Sequence, residues 1–189
     1  NNNHGQIYSG RGLEFDGVTD YLDAGTNPSL AFENGNHTLA AWFNIAENSS
    51  GNHYILAIGN NAVGKQSSIG VKDSSGYLFN SGYSSPIVTT ATTVEPLTWY
   101  RLVMVYTGNG TDTADFYLNG VFVEQESITL DVEVGKLMIG SHVGVNVDFD
   151  GMISDCQVWD SAWSASDVLF DYLNPESLAL NNGGTSLTE

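Results

Sequence analysis

Along most of this chain apolar and polar residues alternate with a period of two, the spacing of strands that bury one face. Gly12 to Asp16 and Tyr21 to Ala24 read as short strands around the turn Asp16-Gly17-Val18-Thr19-Asp20. His37 to Ile45 and His53 to Ile58 are further strands, and Ser68 to Lys72 and Tyr77 to Asn80 flank the hairpin turn Asp73-Ser74-Ser75-Gly76. Trp99 to Tyr106 carries the strongest pattern, with Tyr100, Leu102, Met104 and Tyr106 on one face and Trp99, Arg101, Val103 and Val105 on the other. Ala114 to Leu118 and Val121 to Glu126 enclose Asn119-Gly120. Both of those residues accept positive φ, so the pair predicts a type I′ hairpin. Lys136 to Ile139 and Met152 to Trp159 bring the count to about eleven or twelve strands, with turn signals at sandwich or barrel spacing.

One helix is predicted. Ser164 stands three residues before Asp167 in a capping-box-like start. Val168, Leu169, Tyr172 and Leu173 follow at helical spacing, and Asn174-Pro175 ends the run, since a residue before proline avoids the α region. Residues 1–175 therefore read as one domain, and 176–189, closing in Asn181-Asn182-Gly183-Gly184-Thr185-Ser186, as a linker-like tail. The opening Asn1-Asn2-Asn3-His4-Gly5 has neither a basic nor an apolar region, so it reads as no signal peptide. The Asn-rich start and the tail read as cuts in a longer chain with further domains.

Composition narrows the classes. Of 189 residues, 41% are hydrophobic, enough for a packed core without disulfides. Five Lys and Arg against 22 Asp and Glu leave a net charge of −17. Phosphate contacts depend on Lys and Arg, so nucleic acid is excluded as a partner and anionic membrane surfaces are disfavoured. No apolar run approaches the length of a membrane span, so membrane insertion is not expected. Cys156 is the single cysteine and lies in an apolar strand, where a buried, inert thiol is expected.

Several segments recur together in one known family. Gly12-Leu13-Glu14-Phe15-Asp16-Gly17-Val18-Thr19-Asp20-Tyr21-Leu22 is similar to its opening pair of strands. Leu39-Ala40-Ala41-Trp42-Phe43, Trp99-Tyr100-Arg101-Leu102-Val103, Tyr117-Leu118-Asn119-Gly120 and Met138-Ile139-Gly140 are similar to its middle strands. Phe149 to Trp159 and the Trp163-Ser164-Ala165 helix start are similar to its close. In this order the segments resemble the laminin-G-like, concanavalin-A-like jelly-roll domains, over roughly Gly5 to Asn174. The resemblance implies an all-β fold: an antiparallel jelly-roll β-sandwich of two sheets with one short C-terminal helix.

That fold hosts lectins, adhesion modules, glycosidases and lyases, so the residues must choose among them. Glycoside hydrolases of the superfamily carry E-x-D-x-x-E on one strand, placing two carboxylates on one face. No such pattern occurs; Glu124-Gln125-Glu126 alone puts two acids on a strand face and reads as a solvated hairpin strand. No catalytic residue is assigned, and a remote glycosidase or lyase is the least favoured reading. The histidines lack zinc spacing; His142, in a loop near Asn146 and Asp148, is the one of interest.

The family often holds a structural Ca²⁺ where first and last strands meet, which the resemblance places at Asp16, Asp150 and Asp155, with Asn146 and Asp148 as further donors. Asx-turns explain Asp16 and Asp150 equally well, and Ser154 stands where the family often has Asp. For carbohydrate, Tyr77 and Tyr83 are candidate stacking platforms, with Asp73, Asn80 and His142 as hydroxyl partners. Trp42, Trp99 and Trp159 are expected in the core and Trp163 under the helix. The sequons at Asn36, Asn48 and Asn109 are expected from an Asn/Ser/Thr-rich composition.

The expected function is a non-catalytic recognition or adhesion module that binds a glycan or a surface protein. Its place is an extracellular, cell-surface or virion-surface protein such as a phage fibre, tail or head decoration. A structural or assembly domain without glycan binding is the alternative.

Overall fold

The computed structural model describes residues 6–8, 12–47, 51–72, 76–82, 87–144 and 149–175. The strands are β1 (Gln6–Tyr8), β2 (Gly12–Asp16), β3 (Leu22–Thr26), β4 (His37–Ile45), β5 (Asn52–Gly59), β6 (Gln66–Lys72) and β7 (Tyr77–Ser81). They continue with β8 (Ile87–Thr93), β9 (Tyr100–Thr107), β10 (Thr113–Leu118), β11 (Val121–Ser127), β12 (Lys136–Ile139) and β13 (Asp150–Trp159), and α1 (Ala165–Leu173) follows. They form a seven-stranded sheet in the order β1-β2-β13-β4-β9-β10-β11 and a six-stranded sheet in the order β3-β12-β5-β6-β7-β8. All recorded pairings are antiparallel, so the fold is the expected jelly-roll sandwich. The expected tail, 176–189, lies outside the described residues. Among the described residues, no helix is long and apolar enough to cross a membrane.

Alternation does what the pattern requires. Leu39, Ala41, Phe43, Leu102, Met104 and Tyr106 from one sheet meet Leu56, Ile58, Ile69, Val71 and Leu78 from the other in one core. Asn119 and Gly120 both take positive φ, 52° and 79°, and join Leu118 to Val121 in the two-residue hairpin. The two Phe-Asp-Gly triplets pair with each other: Asp16 faces Asp150, Phe15 faces Gly151, and Phe15 and Phe149 meet edge to face at 6.3 Å.

The sandwich interior also carries a polar seam. His37 enters at the start of β4, sandwiched between the rings of Phe32 (5.1 Å) and Tyr106 (4.9 Å). Its Nε2 pairs with Ser67 Oγ of the opposite sheet at 2.9 Å, and its Nδ1 faces the Gly35 carbonyl at 3.1 Å. Asn80 joins the seam by donating to Ser67 Oγ and to the Ser68 carbonyl.

Helix α1 starts as predicted: Ser164 accepts from the Asp167 amide while the Asp167 carboxylate accepts from Ser164. It lies on the outer face of the seven-stranded sheet, where Val168 packs with Ala40, Val103, Val105 and Tyr117. Arg101 of β9, fully buried, holds it by two bonds to the Asp171 carboxylate (Nε to Oδ2 2.7 Å, Nη2 to Oδ1 3.0 Å). The third guanidinium nitrogen donates to the Asp155 carbonyl at 2.7 Å. Such a fork satisfies both partners, which a point-charge lysine could not do.

Leu169 and Leu173 face outward with Phe170, while Val168 and the Arg101–Asp171 pair make the docking contacts. One expectation is corrected here. The tryptophans expected in the core do not reach it. Trp99 precedes β9 and is 37% exposed, while Trp42 stacks on Tyr172 of α1 and Trp159 packs against Trp163, both half-buried. These rings line the outer face of the seven-stranded sheet, since Leu39, Ala41 and Phe43 already fill the inner face of β4.

Candidate functional site

The richest set of hydrogen-bonding and aromatic groups gathers on the outer face of the six-stranded sheet. A bulge at Ile55 in β5 makes it possible: Tyr54 pairs with Gly70 and Leu56 with Ile69, leaving Ile55 as an extra residue in the core. Tyr54 is thereby turned outward. Its ring meets Phe79 at 4.9 Å and His142 at 4.6 Å, both edge to face. Gly70 is required beneath Phe79, because a Cβ there would stand 2.3 Å from the His53 carbonyl and 2.5 Å from the Phe79 ring.

Beside this aromatic corner runs a chain of hydrogen bonds. Gln66 Nε2 donates to Ser68 Oγ at 3.1 Å, and Ser68 Oγ donates to the Ser81 carbonyl at 2.9 Å. The Tyr54 hydroxyl bonds to the Ser81 side chain. Gln66 is fully buried, yet its Oε1 has no partner among the described residues. A buried amide oxygen left unpaired costs about 1–3 kcal/mol, so this acceptor invites a donor.

The rim is made by loops. Asn61 lies against Gly144, the Gly64 amide donates to the Gly82 carbonyl at 2.7 Å, and Val143 packs with Ala57, Met138 and Tyr21. The groups that face the site are uncharged at neutral pH. Burial pushes the His142 imidazole down to about 4, and burial also raises the Tyr54 phenol. Lys65 pairs with Asp131 and Glu133, and Lys136 pairs with Asp23, while the exposed Lys72 ends β6 two residues beyond Gly70 on the same strand face.

Of the residues expected to bind sugar, His142 stands in this site. Tyr77 is 38% exposed at the start of β7, two residues before Phe79 on the same strand face, beside the Tyr54 corner. Asn80 points the other way, into the interior seam, because it shares the inward face with Leu78; this corrects its expected role at the surface. Asp73 and Tyr83 lie outside the described residues. Tyr54, Gln66, Ser68 and Phe79 were not singled out from sequence. The one signal for them is the polar run Gln66-Ser67-Ser68 opening an apolar strand.

The three acids considered for Ca²⁺ do not form one ligand set. Asp16 Oδ1 accepts three amides of its own turn (Val18 2.9 Å, Thr19 2.8 Å, Asp20 3.1 Å), and its Oδ2 accepts Thr19 Oγ1 at 3.2 Å. The backbone amides hold its carboxyl at about 2, against an ordinary 3.8. Asp150 is its cross-strand neighbour. Asp155 lies five residues along β13, bonded to Gln157 and 3.2 Å from Arg101 Nη1. Among the described residues no group of three or more His, Cys, Asp or Glu could hold a metal, while Asn146 and Asp148 lie outside them. The residues present thus do not fit a Ca²⁺ bound by Asp16, Asp150 and Asp155 together.

Glu124 plays a structural part, since its Oε2 accepts the Ala91 amide of β8 at 2.6 Å and ties β11 to the other sheet at the sandwich edge. Cys156 packs against the core, and burial pushes its thiol up to about 12.

Residues 16–169 match the sequence profile described as the concanavalin A-like lectin/glucanases superfamily, laminin-G type. No curated protein matches by sequence. Among solved structures, the chain is similar to the Trypanosoma rangeli sialidase (18% identity, TM-score 0.66), covering 88% of this chain and 28% of that one. It is also similar to a heptameric SAP-like pentraxin of Limulus polyphemus (20% identity, TM-score 0.62, covering 84% and 80%). A third is the sialidase CBM40 of Ruminococcus gnavus bound to alpha2,3 sialyllactose (13% identity, TM-score 0.65, covering 88% and 98%). At these identities the likeness is one of fold. The chain spans 28% of the sialidase's length.

Proposed function

The chain belongs to the concanavalin A-like lectin/glucanases superfamily, and on that premise we propose that it is a non-catalytic glycan-recognition module of a cell-surface or virion-surface protein. The observation that carries the reading is the outer-face site of the six-stranded sheet. Tyr54, Phe79 and His142 bring their rings together there, each 5% exposed or less beneath the rim loops, and the buried Gln66, Ser68 and Ser81 supply neutral hydrogen-bonding groups, one of them an unpaired acceptor, so a sugar would reach them only as the rim loops part. Sugars are recognised by this combination of aromatic faces and neutral donors and acceptors. Among the described residues the site shows no facing carboxylate pair, and Glu124 is occupied at the sandwich edge, which supports recognition over general acid–base hydrolysis. The carbohydrate-binding neighbour from Ruminococcus gnavus supports the reading and supplies a probe.

A glycan array carrying neutral oligosaccharides and alpha2,3 sialyllactose tests this, followed by titration calorimetry on any hit. Binding without turnover is expected, weakened at least several-fold in Gln66→Leu and in Tyr54→Phe while circular dichroism stays unchanged. An empty array, or a hit indifferent to both substitutions, overturns the proposal. A second reading, docking within a larger surface assembly, is favoured by the outward apolar side chains Leu169, Phe170 and Leu173 of α1. Sedimentation velocity on the protein and on Phe170→Ser distinguishes it, since an assembly held by this face would dissociate in the variant.

A further inference from the structure

The sequence contains four Asn-Gly pairs, at 34–35, 109–110, 119–120 and 182–183, the last outside the described residues. Asn-Gly is the dipeptide most prone to spontaneous succinimide formation, because glycine leaves its own amide nitrogen unshielded. The fold treats the three described pairs differently.

Asn34 is clamped. Its Nδ2 donates to Tyr106 Oη, Asp112 Oδ1 and the Leu130 carbonyl, and the Gly35 amide is already donating to Phe32 at 2.7 Å. Asn119 is held as well, since its Oδ1 accepts the Arg101 amide at 2.9 Å and Gly120 lies beneath Tyr172. Asn109 is open. It sits at the exposed tip of the turn Gly108–Thr111, with φ of 57° followed by 94° at Gly110, and its carboxamide makes no hydrogen bond among the described residues. Nothing stands within 4 Å of the position a Gly110 Cβ would take. The Gly110 amide donates to the Asp112 carboxylate, which Asn34 and Thr129 hold in place.

We propose that Asn109-Gly110 is a self-modifying site, at which the Gly110 nitrogen attacks Asn109 Cγ with Asp112 as the general base. The N–Cγ bond forms as the Cγ–Nδ2 bond breaks, closing a succinimide. The Gly110 proton passes to the Asp112 carboxylate and from there to the departing amine, which leaves as ammonia. Water then opens the ring at either carbonyl to give aspartate or isoaspartate; nothing is oxidised or reduced. The Asn109 side chain must first swing onto Gly110, a movement that no bond to that side chain opposes. The product places a second carboxylate beside Asp112 and removes the Asn109 sequon.

The test is a time course of the purified chain in mildly alkaline buffer, folded and in urea, read by peptide mapping with isoaspartate detection. In the folded protein the Asn109 peptide should convert several-fold faster than the Asn119 peptide, and urea should abolish that difference. Asp112→Asn should slow Asn109 several-fold in the folded state and leave the urea rate unchanged. Equal rates at Asn109 and Asn119 in the folded wild type overturn the proposal without recourse to any variant. An unchanged folded-state rate in Asp112→Asn overturns the role of the base.

Discussion

Lowering the pH should act on this fold through the buried His37. Its ring is fully buried between Phe32 and Tyr106, and burial pushes its pKa from 6.5 down to about 4. The Gly35 carbonyl offsets a part of that cost by accepting from the ring. Facing it are a hydroxyl from Ser67 and the Tyr106 ring, whose own hydroxyl is shared with Asn34 and the Asp112 carboxylate; among the described residues no carboxylate bonds to the imidazole itself. The sign follows from proton uptake. With its native pKa depressed, the folded chain refuses a proton that the unfolded chain accepts, so stability is full above the unfolded value. It declines as pH falls from about 6.5 towards about 4, and the contribution is flat below that. A difference of that size corresponds to about 3 kcal/mol, or on the order of 10 °C in Tm for a domain of this length. Urea unfolding followed by tryptophan fluorescence across this window measures it, with His37→Gln as the comparison. The variant should start lower at neutral pH and show a flatter curve. His142, also held at about 4 by burial, titrates in the same window and is separated by His142→Asn. Asp16 acts lower, its contribution lost as pH falls from 3.8 through about 2. A flat wild-type curve between these histidine limits, or an equal slope in His37→Gln, would refute the reasoning.

Three further outcomes are expected. Asp171→Leu should cost about 3–5 kcal/mol in urea unfolding, because it strands a buried guanidinium, and the double change Arg101→Met with Asp171→Leu should recover most of that loss. Gly70→Ala should destabilise by about 1–3 kcal/mol or more and also weaken glycan binding, since the methyl group collides with His53 O and with the Phe79 ring beneath Tyr54. Excess EDTA should leave the Tm unchanged at fixed salt, because Asp16 is saturated by its own turn and Asp155 is engaged by Arg101 and Gln157; a Ca²⁺-specific rise of several degrees would instead reveal ligands elsewhere in the chain.

How much of this was legible depended on whether a local rule decided the outcome. The strict alternation in β9 sorted Leu102, Met104 and Tyr106 from Val103 and Val105 correctly, and Asn119-Gly120 and the Ser164–Asp167 box behaved as their φ preferences and hydrogen bonds require. Strand β8, Ile87–Thr93, escaped notice because an edge strand rich in threonine shows little contrast between its faces. The site was hidden by one extra residue. Without the bulge at Ile55, period two would assign Tyr54 to the same face as Leu56, in the core. Asn80 was misplaced for the opposite reason: polarity suggests the surface, whereas Ser67 Oγ and the Ser68 carbonyl accept from its Nδ2 inside. The outward Leu169 and Leu173 show that a helix can be oriented by one buried ion pair against the pull of its own apolar residues.

The Arg101–Asp171 clamp has a mechanical consequence. In an adhesive protein, load would arrive through the segments that flank the sandwich. β2 and β13 lie side by side and antiparallel near one edge of the seven-stranded sheet, so tension on these strands would peel their ladder one bond at a time, the weakest way to load a sheet. On the C-terminal side, however, force must pass through α1 before it reaches β13. There it meets a bidentate, desolvated ion pair fixed to β9 near the middle of the sheet. Under such tension the helix would act as a strain relief, moving the load from a strand that unzips to one supported by neighbours on both sides.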